Sequence, residues 1–360
     1  MSINKIVESI VFSAGVAFLT LGNMGIAVAD TFKLTAGSSH PPVISFVKGL
    51  PEVVVKQSIK QASVAGHTIK WTQAYAGVLY NFQNTLEGIE DGLADVGWVG
   101  TLWEASKLPL QNITYFAPGI TNDVSLLTKI GNQLNEKVPA AAAAWKKYNQ
   151  VPLAIHAGAP YILLTKKPIN KVEDLKGLKL YTPGAIARWV EGTGAVGVDG
   201  GLPVMYEGVR NGITDGLIIP ITTVLPFKIH EVAPYATQLD LGAVLGGALS
   251  MNLDTWNKLP VDMQKMFKKI GAEYAKFVVK LEIGFAAKTI AILKSNPKVT
   301  VSTLPDAEMK KWAGFMPNIA GDWAKSNGKD AETVLRFVME ETRKAGHKPL
   351  RDWDKQLNQK

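Results

Sequence analysis

No cysteine occurs in the 360 residues. That removes a disulfide framework, a thiolate metal centre and a cysteine-borne lipid anchor. Beyond residue 30 no stretch approaches the ~18 continuous apolar residues of a membrane helix, so a membrane partner has to be a separate protein. Charge is sparse as well, with 19% Asp, Glu, Lys and Arg against 47% hydrophobic residues. Such a chain is not disordered, and at this length it can bury the cores of two domains. The sequence also lacks G-x-x-x-x-G-K-[ST], H-E-x-x-H, G-x-S-x-G and an EF-hand loop. One G-x-G-x-x-G does occur, GTGAVG from Gly192 to Gly197. It follows a helical pattern instead of a strand and leads into a Gly- and Pro-containing segment, so it reads as a glycine helix stop and not as a phosphate cradle. The five histidines, His40, His67, His156, His230 and His347, show no metal-ligand spacing and, His156 apart, read as surface or helix-end residues. No metal, cofactor or catalytic group is expected.

What is present begins with MSINKIVESIVFSAGVAFLTLGNMGIAVAD, where Lys5, an apolar run from Ile10 to Leu21 and Ala27-Val28-Ala29 have the layout of a cleavable signal peptide over residues 1–29. Export without a lipid anchor predicts a Gram-negative periplasm. The net charge of +8 is unchanged by removing that segment, which carries one Lys and one Glu. The lysines are scattered over amphipathic helices with no Arg-rich run, so nucleic acid is not an expected partner.

From Thr31 onward, strand patterns alternate with helical ones. TFKLTAG and TIKWTQAY read as strands, Phe82 to Gly92 as a helix, LTKIGNQLNEKVPAAAAAWKKYNQ as one longer helix and AIARWVE as another. Val261 to about Lys294 forms an uninterrupted helical pattern able to brace two halves. A polar helical tail follows from Asp306, with its last dozen residues expected to be loosely held. Within this pattern LEGIEDGLADVGWVG (Leu86 to Gly100) and YEGVRNGITDGLIIP (Tyr206 to Pro220) repeat Glu-Gly-apolar-x-x-Gly-apolar-x-Asp. Each copy predicts a helix end, a glycine stop and a strand opened by Asp95 or Asp215. Two copies point to two similar α/β halves with a cleft between them.

Ligands of open α/β sheets lie beyond the carboxyl ends of strands. There the sequence places Tyr75, Trp98, Tyr161 and Tyr181, together with His156 at the end of VPLAIH. These are the candidate pocket residues, whereas Tyr80 and Trp103 are expected in the core.

KKPINKVEDLKGLKLYTPG (Lys166 to Gly184), YEGVRNGITDGLIIPITTV (Tyr206 to Val224) and WNKLPVDMQKMF (Trp256 to Phe267) resemble, in order, the blocks of solute-binding proteins of tripartite ATP-independent periplasmic (TRAP) transporters. The resemblance implies an α/β two-lobed periplasmic-binding-protein fold with crossing strands and a long late helix. Lobe I takes residues 30–153 with about 242–280, lobe II takes 154–241 with about 281–335, and 336–360 form a C-terminal helical tail. It further implies a non-enzymatic monomer, with a dimer left open, that captures a small organic solute and delivers it to membrane permease subunits. Ligand-sensing receptors and, more remotely, exported enzymes share such a cleft.

Two family positions differ here. Tyr181 stands where the family carries a carboxylate-binding arginine, and Ile219 where it carries an asparagine. An apolar or aromatic solute is therefore expected. If the solute is an acid, Arg188, Arg210 or His156 must supply its counter-charge; Arg210 reads instead as a solvated surface residue.

Overall fold

The computed structural model describes residues 30–357; the signal segment expected over 1–29 lies outside them. The first strands are β1 (Thr31–Gly37), β2 (Thr68–Ala74), β3 (Val96–Gly100) and β4 (Gln150–Gly158). Between them come helices α1 (Ser45–Gly49), α2 (Lys56–Val64), α3 (Thr85–Glu90), α4 (Ile113–Phe116), α5 (Val124–Lys137) and α6 (Pro139–Lys147). The single long helix expected across α5 and α6 is in fact two. Pro139 takes the first helical position of α6, where its missing N–H costs nothing, and Val138 is extended.

The chain then crosses through Ala159-Pro160 into β5 (Tyr161–Thr165), β6 (Lys179–Tyr181), β7 (Val196–Val198), α7 (Leu202–Arg210), β8 (Gly216–Pro220) and β9 (Tyr235–Gln238). AIARWVE forms a 3₁₀ segment, Gly184–Val190, and not an α-helix. Gly184 and Gly192, both at positive φ, bracket it and leave no room for a longer helix. GTGAVG turns through Gly192 and Gly194 into β7, which is the glycine stop expected.

β10 (Val244–Asn252) returns to the first sheet and is followed by α8 (Leu253–Lys258) and α9 (Val261–Ser295). Last come β11 (Thr300–Thr303), α10 (Asp306–Phe315) and α11 (Ile319–Lys344). The final residues are held more firmly than expected. Trp353 is fully buried with its indole N–H donating to Pro118 O, and Arg343 pairs with Asp352 and Asp354.

The first sheet has the order β2-β1-β3-β10-β4 and the second β11-β9-β5-β8-β6-β7. β3 lies between parallel β1 and antiparallel β10, just as β8 lies between parallel β6 and antiparallel β5. The sequence repeat thus marks equivalent places in two sheets of like order. Asp95 Oδ2 accepts the N–H of Thr35 on β1 at 2.7 Å, and Asp215 Oδ2 accepts the N–H of Lys179 on β6 at 2.8 Å. Each aspartate pins its strand to the parallel neighbour, which accounts for both without chemistry.

The repeated glycines have an equally local cause. A Cβ at Gly88 would collide with the ring of Tyr80, and one at Gly208 with the ring of Tyr181. Long α9 packs Phe267, Ile270, Tyr274 and Val278 into the first core and Leu293 into the second, and its bounds match the expected span.

Candidate functional site

Between the sheets lies a cavity of about 100 Å³. Trp98 of β3, Leu102 and Trp103 just after it, His156 and Gly158 of β4, and Val244 and Gly246 of β10 line it from the first sheet. Tyr161 of β5, Ile219 and Pro220 of β8, then Thr222 and Thr223 line it from the second. His40, Phe46, Tyr115, Pro183, Met205 and Glu282 close the remainder. Trp98 and His156 stand in the carboxyl halves of β3 and β4, whereas Tyr161 opens β5 and Phe46 and Tyr115 come from α1 and α4.

The wall is ordered by ring contacts. Phe46 stacks on Trp98 with centroids 3.9 Å apart and planes at 20°, and His40 meets Trp98 edge-on at 5.4 Å. Tyr274 donates its hydroxyl to Phe46 O at 2.7 Å, which fixes the backbone that carries Phe46. Trp98 donates its indole N–H to Nε2 of His156 at 2.9 Å. Because an indole can only donate, that nitrogen is unprotonated and the imidazole proton sits on Nδ1, facing Ala157 O. Burial lowers both His156 and His40 from the ordinary 6.5 to about 4. At neutral pH both rings are uncharged, and among the described residues no Lys or Arg lines the cavity.

The remaining ionisable group is Glu282, 4% exposed. Its Oε2 accepts the N–H of Ala159 at 2.9 Å and the hydroxyl of Thr222 at 3.2 Å, while Oε1 accepts the hydroxyl of Ser45. Burial raises its pKa, and these hydrogen bonds draw it back down.

Of the residues singled out from the sequence, Trp98, Tyr161, His156 and Ile219 are brought together around the cavity. Three others are not. Tyr181 lies buried against the backbone of Gly200 and Gly208, in the cluster that also holds Met205 and Ile219, and does not reach the cavity. Arg188 is turned outward and pairs with Glu191 and Asp322, because its neighbour Trp189 takes the inward position and donates to Tyr115 O. Tyr75 follows edge strand β2, two strands away from β3, and donates its hydroxyl to Gln73. Arg210 pairs with Glu207 on the exposed face of α7, as expected.

Trp103 and His40, expected in the core and at the surface, both line the cavity. Phe46, Tyr115, Met205 and Glu282 were passed over. For Glu282 a signal existed: at helical spacing after Phe267, Ile270, Tyr274 and Val278 the buried stripe of α9 places a carboxylate where an apolar residue belongs.

Two cradled sheets of like order, joined by crossing strands and a shared helix around a cleft, define the periplasmic binding protein class. The family model for bacterial extracellular solute-binding protein, family 7, matches residues 56–326, and the chain belongs to that family, one of binding proteins and not of enzymes. A solute-binding protein of Albidiferax ferrireducens is 28% identical over 153 residues, which is 41% of this chain and 44% of that relative. The chain thus aligns with less than half the length of the curated relatives it matches.

The fold is shared with a TRAP solute-binding protein of Rhodoferax ferrireducens in complex with copurified benzoate, at TM-score 0.76 and 20% identity over 87% of this chain and 98% of that one. It is shared too with a marine-metagenome TRAP protein specific for aromatic acids, in complex with 3-hydroxybenzoate. That likeness has TM-score 0.75 and 21% identity over 88% and 99% of the two chains. Among the described residues no helix is long and apolar enough to cross a membrane.

Proposed function

We propose that this chain is the solute-capturing subunit of a TRAP transporter, working in the periplasm. Its two lobes, 30–153 with about 242–280 and 154–241 with about 281–335, close on a small solute and present it to membrane permease subunits. The solute has a ring or alkyl body and few polar groups. The observation that carries this reading is the cavity wall, built from both sheets of Trp98, Trp103, Phe46, Tyr161, Ile219 and Leu102 with no Lys or Arg among its residues. Ring-bearing ligands in two neighbours of like fold, benzoate and 3-hydroxybenzoate, support the aromatic part.

Closure works as a population shift: contacts made only when both walls touch the solute favour the closed form. With about 100 Å³, the cavity falls short of the roughly 150 Å³ that admits benzene. A ring-sized solute therefore enters with the lobes parted or Phe46 turned aside. Native mass spectrometry of the protein purified from its periplasm tests the reading. Release of a neutral apolar or aromatic compound is the expected result, and a small dicarboxylate overturns it.

A further inference from the structure

The cavity's charge is set by one side chain. Five ionisable residues line it, His40, His156, Tyr115, Tyr161 and Glu282. The two imidazoles are neutral at pH 7, and burial pushes both phenols above their usual range. Glu282 is the one carboxyl group among the described lining residues; burial raises its pKa, and every polar contact it makes is with a donor: the Ser45 hydroxyl, the Ala159 N–H and the Thr222 hydroxyl. An array of donors around a carboxylate favours its ionised form and works against that burial. A carboxylate offers about four lone-pair positions, so these three donors leave one for a solute.

The three donors also come from three different parts of the chain. Ser45 begins α1 beside the first sheet, Ala159 is the crossing between β4 and β5, and Thr222 follows β8 of the second sheet. The carboxylate is therefore fixed at the seam of the cleft by both walls.

We propose that Glu282 is the charge-selecting residue of the cleft. It repels solutes that carry a carboxylate and receives a hydrogen-bond donor or an amine cation on a solute whose body lies against the aromatic wall. Two carboxylates in one dry site cannot both stay ionised without a cation, and the lining supplies none. A cation gains twice, from the carboxylate and from the ring faces of Trp98, Trp103 and Phe46. This inference rests on the reading of the cleft as the solute site.

Benzylamine, benzyl alcohol and benzoate share one ring and differ in charge at the exocyclic group, so they separate the two ideas. Each is titrated at pH 7 into the full mature chain and followed by isothermal titration calorimetry. The expected order is benzylamine tightest, then benzyl alcohol, with benzoate at least about tenfold weaker than the alcohol. In Glu282→Gln, benzoate should gain about tenfold or more on benzylamine, with the alcohol changing least. Benzoate binding the natural protein as tightly as benzyl alcohol, or an unaltered order in a folded Glu282→Gln variant, overturns the charge rule alone. Failure of all three probes to bind overturns the cleft reading and the charge rule with it. The ranking in the natural protein stands as a test even where the variant does not fold.

Discussion

The unit made of α3 and β3 and the unit made of α7 and β8 are built alike and end differently. Both stop a helix at a glycine of positive φ, Gly92 and Gly212, and both pin the following strand through an aspartate to a parallel neighbour. Both rest a tyrosine ring on a helix glycine. At the cleft the likeness ceases. β3 presents Trp98 and, just past its end, Trp103, whereas β8 presents Ile219 and Pro220 and then the hydroxyls of Thr222 and Thr223. The scaffold positions that set backbone geometry are held in common, and the positions free of that duty differ between the two cavity walls.

The largest break in this comparison comes from Trp98→Ala against Ile218→Ala, the same place in the two repeats. Removing the indole takes away a buried ring, its stacking on Phe46 and the His156 hydrogen bond. That should cost about 3–5 kcal/mol and weaken binding, while Ile218, buried and not among the cavity lining, should cost about 2–4 kcal/mol with affinity kept. Urea unfolding with a binding titration on each variant checks both numbers.

Gly88→Ala and Gly208→Ala probe what the two units share. Each should lose about 1–3 kcal/mol by forcing a tyrosine ring aside, and sharply unequal losses would break the equivalence. Asp95→Ala and Asp215→Ala sharpen it further. Asp95 also accepts the Thr255 hydroxyl at 2.5 Å and is the more enclosed of the two contacts. Its loss should reach about 1–3 kcal/mol, against about 0.5–1.5 kcal/mol at Asp215.

A further effect concerns pH and belongs to the first unit alone, through the partner of Trp98. His156 is lowered in the fold to about 4 from 6.5, so between those values the unfolded chain binds the extra proton. Stability linked to it is complete above pH 6.5 and declines as pH falls towards 4, by at most about 1.4 kcal/mol per pH unit. Glu282, raised above the ordinary carboxylate range, acts in the opposite sense where the two overlap. The difference between the natural protein and His156→Gln, measured as urea midpoints from pH 4 to 7, isolates the histidine. A slope unchanged by the substitution would show that this ring titrates normally.

How legible all this was depended on whether a residue's duty was local. The glycine stops, the aspartate-opened strands and the bounds of α9 are written in nearest-neighbour chemistry and periodicity, and the structure places them where the sequence does. The break at Pro139 is written in the same terms, since a proline fits the first turn of a helix and not its interior. The cleft is another matter. Tyr181 and Trp98 look alike in sequence, each an aromatic in a short apolar strand. The strand's two faces differ only through what packs on them, and Tyr181 is claimed by Gly200 and Gly208. Phe46 and Tyr115 reach the cavity from helices whose apolar faces give no hint of a void.

β10 lies in the middle of the first sheet, between β3 and β4. In the chain, however, the whole run from β5 to β9 separates it from β4. Until that strand is in place β3 and β4 have no bridge, so the first sheet cannot be completed from its own early residues. Assembly is thus governed by contacts between distant parts of the chain, the kind that makes folding slow and leaves strand edges bare for longer. Because β10 also brings Val244 and Gly246 to the cavity, the cavity wall and the first sheet depend on the same returning strand.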